Sequence, residues 1–288
     1  MKASVVITSK NRSQELRRAL SSAIQQSAGP EIIVMDDGST DGTAEMVRAE
    51  FPRVRLHQFA ESEGLIVRRN QAALVASGEI IVSIDDDAEF STPHVVEQTL
   101  DAFNDPRIGA VAIPYLEPHK DNRLRQRAPD KTQVWLCDHF IGTAHAVRRD
   151  LFLKLGGYRE HLVHQGEESD FCLRMLDAGY FVRLGDSDPI HHFESPRRDF
   201  RRMDYYGARN AVLFAWQNVP WPYLPLHLAA TTFKVLIWTF APARFWLRFR
   251  AGMAGYLWCL RNLGARQPVK RSTYEQARAM RRAGALAL

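Results

Sequence analysis

The sequence predicts an α/β protein: a mostly parallel sheet flanked by helices, followed by a C-terminal helical appendage that is both basic and apolar. Three observations predict it. Short apolar runs alternate with amphipathic segments through the first two thirds of the chain, as in β-α-β units. Three of those runs end in polar clusters, Thr8-Ser9-Lys10-Asn11, Asp36-Asp37 and Asp85-Asp86-Asp87. In such sheets ligands bind beyond the C-terminal strand ends. Charge then divides the chain: residues 195–288 carry 16 Lys+Arg against 3 Asp+Glu, whereas residues 1–194 carry 22 against 30.

Taken in order, Ala3–Ser9 (ASVVITS) reads as a short buried strand. Ser13–Gln26 places Leu16, Ala19, Leu20, Ala23 and Ile24 at helical spacing, with Ser13 as the cap. Glu31–Met35 is a second strand, Thr43–Glu50 a helix and Val54–Gln58 a third strand. Leu65–Ala76 is a helix closed by Gly78, followed by strand Glu79–Ile84. Pro93–Phe103 reads as helix and Ile108–Pro114 as strand. Phe171, Leu173 and Met175 give an apolar face to a helix ending at Gly179, and Tyr180–Leu184 is the strand before Ile190-His191-His192-Phe193.

Bulk properties narrow the class. With 288 residues, 45% hydrophobic and 25% charged, the chain is an ordinary globular protein rather than a disordered one. Cys137, Cys172 and Cys259 form no CxxC pair, which excludes a disulfide framework or a structural zinc site and fits a reducing cytoplasm. The apolar run near the N-terminus is too short for a signal peptide. There is no GxGxxG after the first strand and no GxxxxGK[ST], so dinucleotide and P-loop fingerprints are absent. Phosphate binding then falls to a metal held by carboxylates.

The candidate residues follow from that need. Ile32–Thr43 (IIVMDDGSTDGT) is an apolar strand that ends in two acids, a glycine and hydroxyls, all good turn formers. The pattern recurs at Ile80–Asp87, where three consecutive carboxylates repel one another unless they are exposed or joined by a hard divalent cation, Mg²⁺ or Mn²⁺. Glu167 and Glu168 form a second acidic pair at a helix N-terminus, read either as dipole complement or as a base for an incoming hydroxyl. His191 and His192 face opposite ways, so one points at the cleft as a metal ligand or phosphate contact.

Six segments in order, VVITSKNR, IIVMDDGSTDGT, RRNQAALVASGE, IVSIDDDAEF, FIGTAHAVRRDLFLKLGGYRE and GEESDFCLRMLDAGY, resemble the family 2 glycosyltransferases of the GT-A, Rossmann-like fold over roughly residues 1–195. The resemblance implies transfer of a sugar from a nucleoside-diphosphate sugar to an acceptor hydroxyl, with inversion at the anomeric carbon. It implies that Asp37 meets the nucleobase, that Thr8, Ser9 and Asn11 meet base and ribose, and that Arg69 lies near base or diphosphate. Asp85 and Asp86 would hold ribose and sugar phosphate, and Asp87, with Asp85 and His192, the Mn²⁺ or Mg²⁺. Gly142 would leave room beside the donor sugar or acceptor. Glu168 would be the base, with Glu167 the alternative. Two departures stand out: Thr8 where the family often has proline, and a Glu-Glu pair where Glu-Asp is usual, which alters the reach of the base by about an ångström, a distance that matters in catalysis. UDP, dTDP and GDP donors remain equally open.

The expected division is a catalytic domain over residues 1–200 and a helical region over 201–288. Where the two meet, His191–Arg202 brings four arginines to the presumed cleft, and in the helical region Leu226–Ala241 is a 16-residue apolar run between Pro225 and Pro242. As a helix that run is about 24 Å long, short of a bilayer core of about 30 Å. Phe245–Leu263 sets Trp246, Tyr256 and Trp258 beside arginines, the composition of an interfacial helix. Two readings stand together here, peripheral contact with the inner face of the cell membrane, and helix packing or a homodimer interface. Lys270–Leu288 reads as a loosely held basic helix. The QxxRW motif of the processive synthases in that family is not found, so the resemblance implies single addition to a glycan or lipid-linked glycan rather than polymerisation. A nucleic-acid partner would leave the acidic cleft unexplained. The rival reading is a degenerate transferase that serves as a scaffold through its basic tail.

Overall fold

The computed structural model describes residues 1–194, 199–237 and 242–288. In chain order the elements are β1 (Ala3–Ser9), α1 (Ser13–Ala23), β2 (Glu31–Asp36), α2 (Thr43–Glu50), β3 (Arg55–Gln58), α3 (Leu65–Val75), β4 (Ile80–Asp85), β5 (Ala88–Phe90), α4 (Val95–Asp101), β6 (Ile108–Ala112), β7 (Tyr115–Leu116) and β8 (Trp135–Cys137). They continue with β9 (Ala144–Arg148), α5 (Arg149–Lys154), α6 (Glu167–Asp177), β10 (Phe181–Leu184), β11 (Ile190–His192), α7 (Phe200–Asn218), α8 (Tyr223–Ile237), α9 (Pro242–Arg261), α10 (Arg271–Ala283) and β12 (Leu286–Ala287).

The large sheet runs β12-β8-β10-β6-β9-β4-β1-β2-β3. β3, β2, β1 and β4 are parallel neighbours, β9 inserts antiparallel between β4 and β6, and β8 lies antiparallel beside β10. The expected mostly parallel sheet is therefore present, with antiparallel strands towards one side. β1 is buried on both faces because helices cover both: Val5 and Ile7 pack with Leu16 and Leu20 of α1, while Val6 packs with Ile66 and Ala72 of α3. That two-sided burial is why its sequence is a continuous apolar run rather than an alternation.

Register builds the functional edge. Thr8 pairs with Met35 on one side and Asp85 on the other, and Ser9 with Asp36, so the polar ends of β1, β2 and β4 finish level. A second sheet, β5-β11-β7, stands beyond β4. Its pairing of His192 with Ala88 and His191 with Leu116 brings Asp87, His192 and Glu117 to one place.

Several expectations need correction. Ser13 does not cap α1: the cap position belongs to Arg12, and no side-chain cap hydrogen bond forms there. α8 starts at Tyr223, not Leu226, with Pro225 in its first turn, where the missing N–H has no helical partner to lose. Residues 238–241 of the expected 226–241 helix, and Arg197 and Arg198 of the arginine group, lie outside the described residues. The last helix is not loosely held. Tyr274 and Met280 of α10 are buried, Thr273 Oγ1 donates to Asp177 at 2.7 Å, Arg281 Nε to Asp138 at 2.7 Å, and β12 pairs with β8.

Candidate active site

At the C-terminal edge of the parallel strands lies a cleft of about 920 Å³. Each candidate residue borders it: Thr8, Ser9, Asn11, Asp37, Arg69, Asp85, Asp86, Asp87, Gly142, Glu167, Glu168 and His192. Asp199, Arg202 and Met203, at the start of α7, complete the wall.

The three consecutive aspartates have three different environments. Asp85 is partly exposed and accepts from Arg69 Nη2 at 2.8 Å. Asp86 turns inward, accepting from Ser9 Oγ at 2.8 Å and from Arg12 Nη1 at 2.8 Å. Burial pushes its carboxyl up to about 7, against the opposing Arg12 charge and with Asp87 adding to the rise. Asp87 is buried, 3.3 Å from His192 Nε2 and 3.4 Å from Arg12 Nη1. Arg12 thus spreads cationic charge over two of the three acids. Glu117 is also buried, 3.7 Å from His192 Nδ1 and 3.1 Å from Arg125. Neither Arg12 nor Glu117 was marked by sequence reasoning. Arg12 directly follows Asn11 in the quoted ITSKNR, but nothing local ties it to acids 74 residues away.

Asp85, Asp87 and His192 offer ligand atoms within 4.8 Å of one another, and Glu117, His192 and Glu194 form an adjoining group. Two carboxylates and an imidazole suit a divalent first-row cation that keeps open positions for phosphate oxygens, so the residues fit the expected metal.

Asp37 is organised differently. It accepts from Ser62 Oγ at 2.5 Å, the Glu63 amide at 2.9 Å, the Gly64 amide at 3.0 Å and Arg68 Nε at 2.7 Å. Burial alone would raise its carboxyl, but these donors hold it below the ordinary range. The carboxylate's roughly four acceptor positions are taken by protein groups, and it fixes the 61–64 loop that forms one wall. Asn11, at φ 54°, ties the first strand end to the second: its amide donates to Ser39 Oγ and its side-chain oxygen accepts from the Thr40 amide.

Across the cleft, Gly166 in the left-handed region (φ 89°) turns the chain into α6, whose first residues are Glu167 and Glu168. The Glu167 side chain is 3% exposed and that of Glu168 21%, so Glu168 reaches open space. Burial raises the Glu167 carboxyl to about 8, with the neighbouring Glu168 charge adding and Arg69 opposing, and burial likewise raises Glu168. The helix N-terminus favours the charged forms, but desolvation outweighs it here.

Arg69 connects the two acid groups. Besides its bond to Asp85 it donates to the Gly142 carbonyl at 2.9 Å, and its Nη1 lies 3.8 Å from Glu168 and 4.0 Å from Glu167. Among the described residues no hydrogen-bond partner reaches Arg69 Nη1, Glu167 Oε2 or Thr8 Oγ1, three buried polar atoms on this wall. Gly142 is crowded: a Cβ there would meet the Glu168 carboxylate and lie 2.9 Å from Arg69 Nη1, so the ends of both side chains would have to shift. His145, also not marked by the sequence, supports this corner. It stacks on Phe140 at 4.1 Å, contacts the Gly142 carbonyl at 3.0 Å and Tyr158 Oη at 3.0 Å, and burial holds its pKa down at about 3.

A mostly parallel sheet with an acid-and-histidine group at its C-terminal edge and a carboxylate pair across the cleft defines the GT-A class of glycosyltransferase architecture. The chain belongs to glycosyl transferase family 2, whose sequence profile matches residues 4–156. It is 27% identical over 231 residues to the pre-mycofactocin glycosyltransferase of Mycobacterium tuberculosis, covering 73% of this chain and 47% of that one. It is 25% identical over 214 residues to the glucosyl-dolichyl phosphate glucuronosyltransferase of Haloferax volcanii, covering 62% and 64%. These matches span less than two thirds of either relative. In fold it is similar to a mannosyltransferase from Pyrobaculum calidifontis in complex with GDP-Man and Mn²⁺, with a TM-score of 0.62 at 20% identity over 97% of this chain and 84% of that one.

Proposed function

We propose that the protein is an inverting, metal-dependent glycosyltransferase that moves one sugar from a nucleoside-diphosphate sugar to an acceptor hydroxyl. The observation that carries this reading is the pairing, across one cleft, of a cation-type group (Asp85, Asp87, His192) with the cleft-facing carboxylate of Glu168, joined by Arg69.

In this reading Thr8, Ser9 and Asn11 border the base and ribose, and Asp37 acts by fixing the wall they face. Asp85 and Asp86 hold ribose and sugar phosphate, and Arg69 Nη1 meets a donor oxygen. Asp87, Asp85 and His192 would hold the cation, Mn²⁺ or Mg²⁺. The cation supplies charge neutralisation for the departing diphosphate. Glu168 accepts the acceptor hydroxyl's proton while that oxygen bonds to the anomeric carbon on the face opposite the breaking bond to phosphate. One base suffices because the leaving group departs as an anion and needs no protonation. Glu167, deeper and held protonated by burial, keeps a second negative charge away from the base.

The donor is UDP-, dTDP- or GDP-linked, and the acceptor a lipid-linked or cell-surface glycan met at the cytoplasmic side of the membrane. Support for a lipid-linked acceptor is Arg202 in the cleft wall, suited to an acceptor phosphate, and the relative whose name includes dolichyl phosphate. Residues 1–200 carry the donor chemistry, and 201–288 the acceptor side, with α7 shared between them. The test is a melting screen of nucleoside diphosphates and their sugars with and without Mn²⁺. A ligand at a hundredfold excess over its Kd stabilises by about 2.7 kcal/mol. A metal-dependent shift for one nucleotide, lost in Asp87→Ala, supports the reading; no shift with any of them favours the degenerate scaffold.

A further inference from the structure

We propose that the exposed faces of α8 and α9 form a surface that rests on an anionic lipid bilayer. Trp246, Phe249, Met253, Leu257 and Leu260 are all exposed and recur every three or four residues, so they form one stripe along α9. Arg250 and Arg261, each four residues beyond a member of the stripe, are exposed along one edge of it. The opposite face of α9 is small and fixed. Ala251, Gly255 and Cys259 are buried, and a Cβ at Gly255 would lie 2.8 Å from the Arg209 carbonyl of α7. The close approach to α7 locks the apolar stripe outward. α8 repeats the arrangement with Leu226 and Phe233, 74% and 63% exposed and two turns apart, beside exposed Lys234.

The charge selects the occupant. From Asp204 to Glu275 the chain contains no acidic residue between those two. An exposed apolar stripe rimmed by polar residues marks an interaction surface, and aromatic and leucine residues edged by arginine on a helix lying in plane are what an anionic bilayer surface holds. No described helix is long and apolar enough to cross a membrane. α7 carries the geometry to the cleft: its first turn lines the cleft while its later turns pack on α9. This surface does not depend on the donor chemistry, and its failure would leave the transferase reading standing.

The test is sedimentation of the full chain with vesicles of phosphatidylglycerol and phosphatidylcholine, compared with phosphatidylcholine alone. The expected result is binding to the anionic vesicles that weakens with salt. Trp246→Glu and Leu257→Glu should abolish it, and Arg250→Gln and Arg261→Gln should each reduce it about fivefold. Leu260→Glu, at the most exposed position of the α9 stripe, serves as a second variant should Leu257→Glu fail to fold. Melting temperatures and nucleotide-dependent shifts of folded variants should match the parent protein. Absence of binding at every lipid composition overturns the proposal. So does a dimer in analytical ultracentrifugation that Leu257→Glu dissociates while vesicle binding is unchanged, which would make the stripe an interface between copies.

Discussion

Glu167 and Glu168 are adjacent in sequence and unequal in setting, and the difference decides their expected behaviour. Glu168→Gln should lower turnover by about 10²- to 10⁴-fold while leaving the nucleotide-dependent melting shift intact; loss of both together would assign Glu168 to binding instead. A base whose carboxyl is raised by burial is ionised only above that raised value. The ascending limb of kcat against pH should therefore lie above the ordinary carboxylate range, and disappear in the glutamine variant. Gly142→Ala should also depress kcat, because the added methyl displaces the Glu168 carboxylate; unchanged kinetics would show that the Glu168 and Arg69 side-chain ends move aside without cost. The acids were legible because like charges placed together at strand ends demand a physical reason. Arg12, Glu117 and His145 were not, because each acquires its meaning from a partner distant in sequence or buried by the fold, as Arg12 does from Asp86.

At the scale of elements, the segment preceding α6 is unusual. Val163 and Gln165 have φ values of 65° and 71°, and Gly166 follows at 89°. A β-branched residue in that region is strained and persists only where the surroundings hold it. The holder is α7: Asn210 Nδ2 lies 2.8 Å from each of the carbonyls of Leu162, His164 and Gln165 and shares its two hydrogens among them. Asn210→Ala leaves buried carbonyls without a donor, with an expected loss of about 1–3 kcal/mol. Chemical denaturation measures that loss, and turnover should fall beyond it because the loop carries the glutamates; a variant equally stable and active would show that the loop holds itself. Long apolar strands and amphipathic helices of the parallel half were legible in the sequence to within three residues, the largest difference being the first helix, expected to Gln26 and ending at Ala23. β5, β7, β8 and β9 were not: β5, β7 and β8 are only two or three residues long, and β9 reveals its antiparallel insertion only through its partners. The docking of α10 was missed for a similar reason: its surface is basic, and the anchors, Asp177 and Asp138, lie about a hundred residues or more earlier.

For the whole molecule, the concentration of carboxylates in one buried edge makes stability a function of protons and cations together. Asp86 is raised to about 7 and Glu167 to about 8, so the folded chain binds these protons more tightly than the unfolded chain does. Their stabilisation is present in full below the ordinary carboxylate pKa and is lost as pH rises through those folded values. His145, held neutral with a pKa near 3, acts in the other direction, removing stability as pH falls below its ordinary value of 6.5. The metal-free protein should therefore melt at a higher temperature near about pH 6.5 than near about pH 8.5. A cation bound by Asp85, Asp87 and His192 requires the ionised acids and neutral imidazole, so Mn²⁺ should raise the melting temperature more at the higher pH. Glu167→Gln should reduce the metal-free pH dependence to the part that Asp86 and His145 carry while keeping the Mn²⁺ response, and Asp87→Ala should abolish the Mn²⁺ response. Melting curves at the two pH values, with and without Mn²⁺, separate these outcomes. A Mn²⁺ response equal at both values and retained in Asp87→Ala would place the cation elsewhere, and would leave the acidic edge to Arg12 and Arg69 alone.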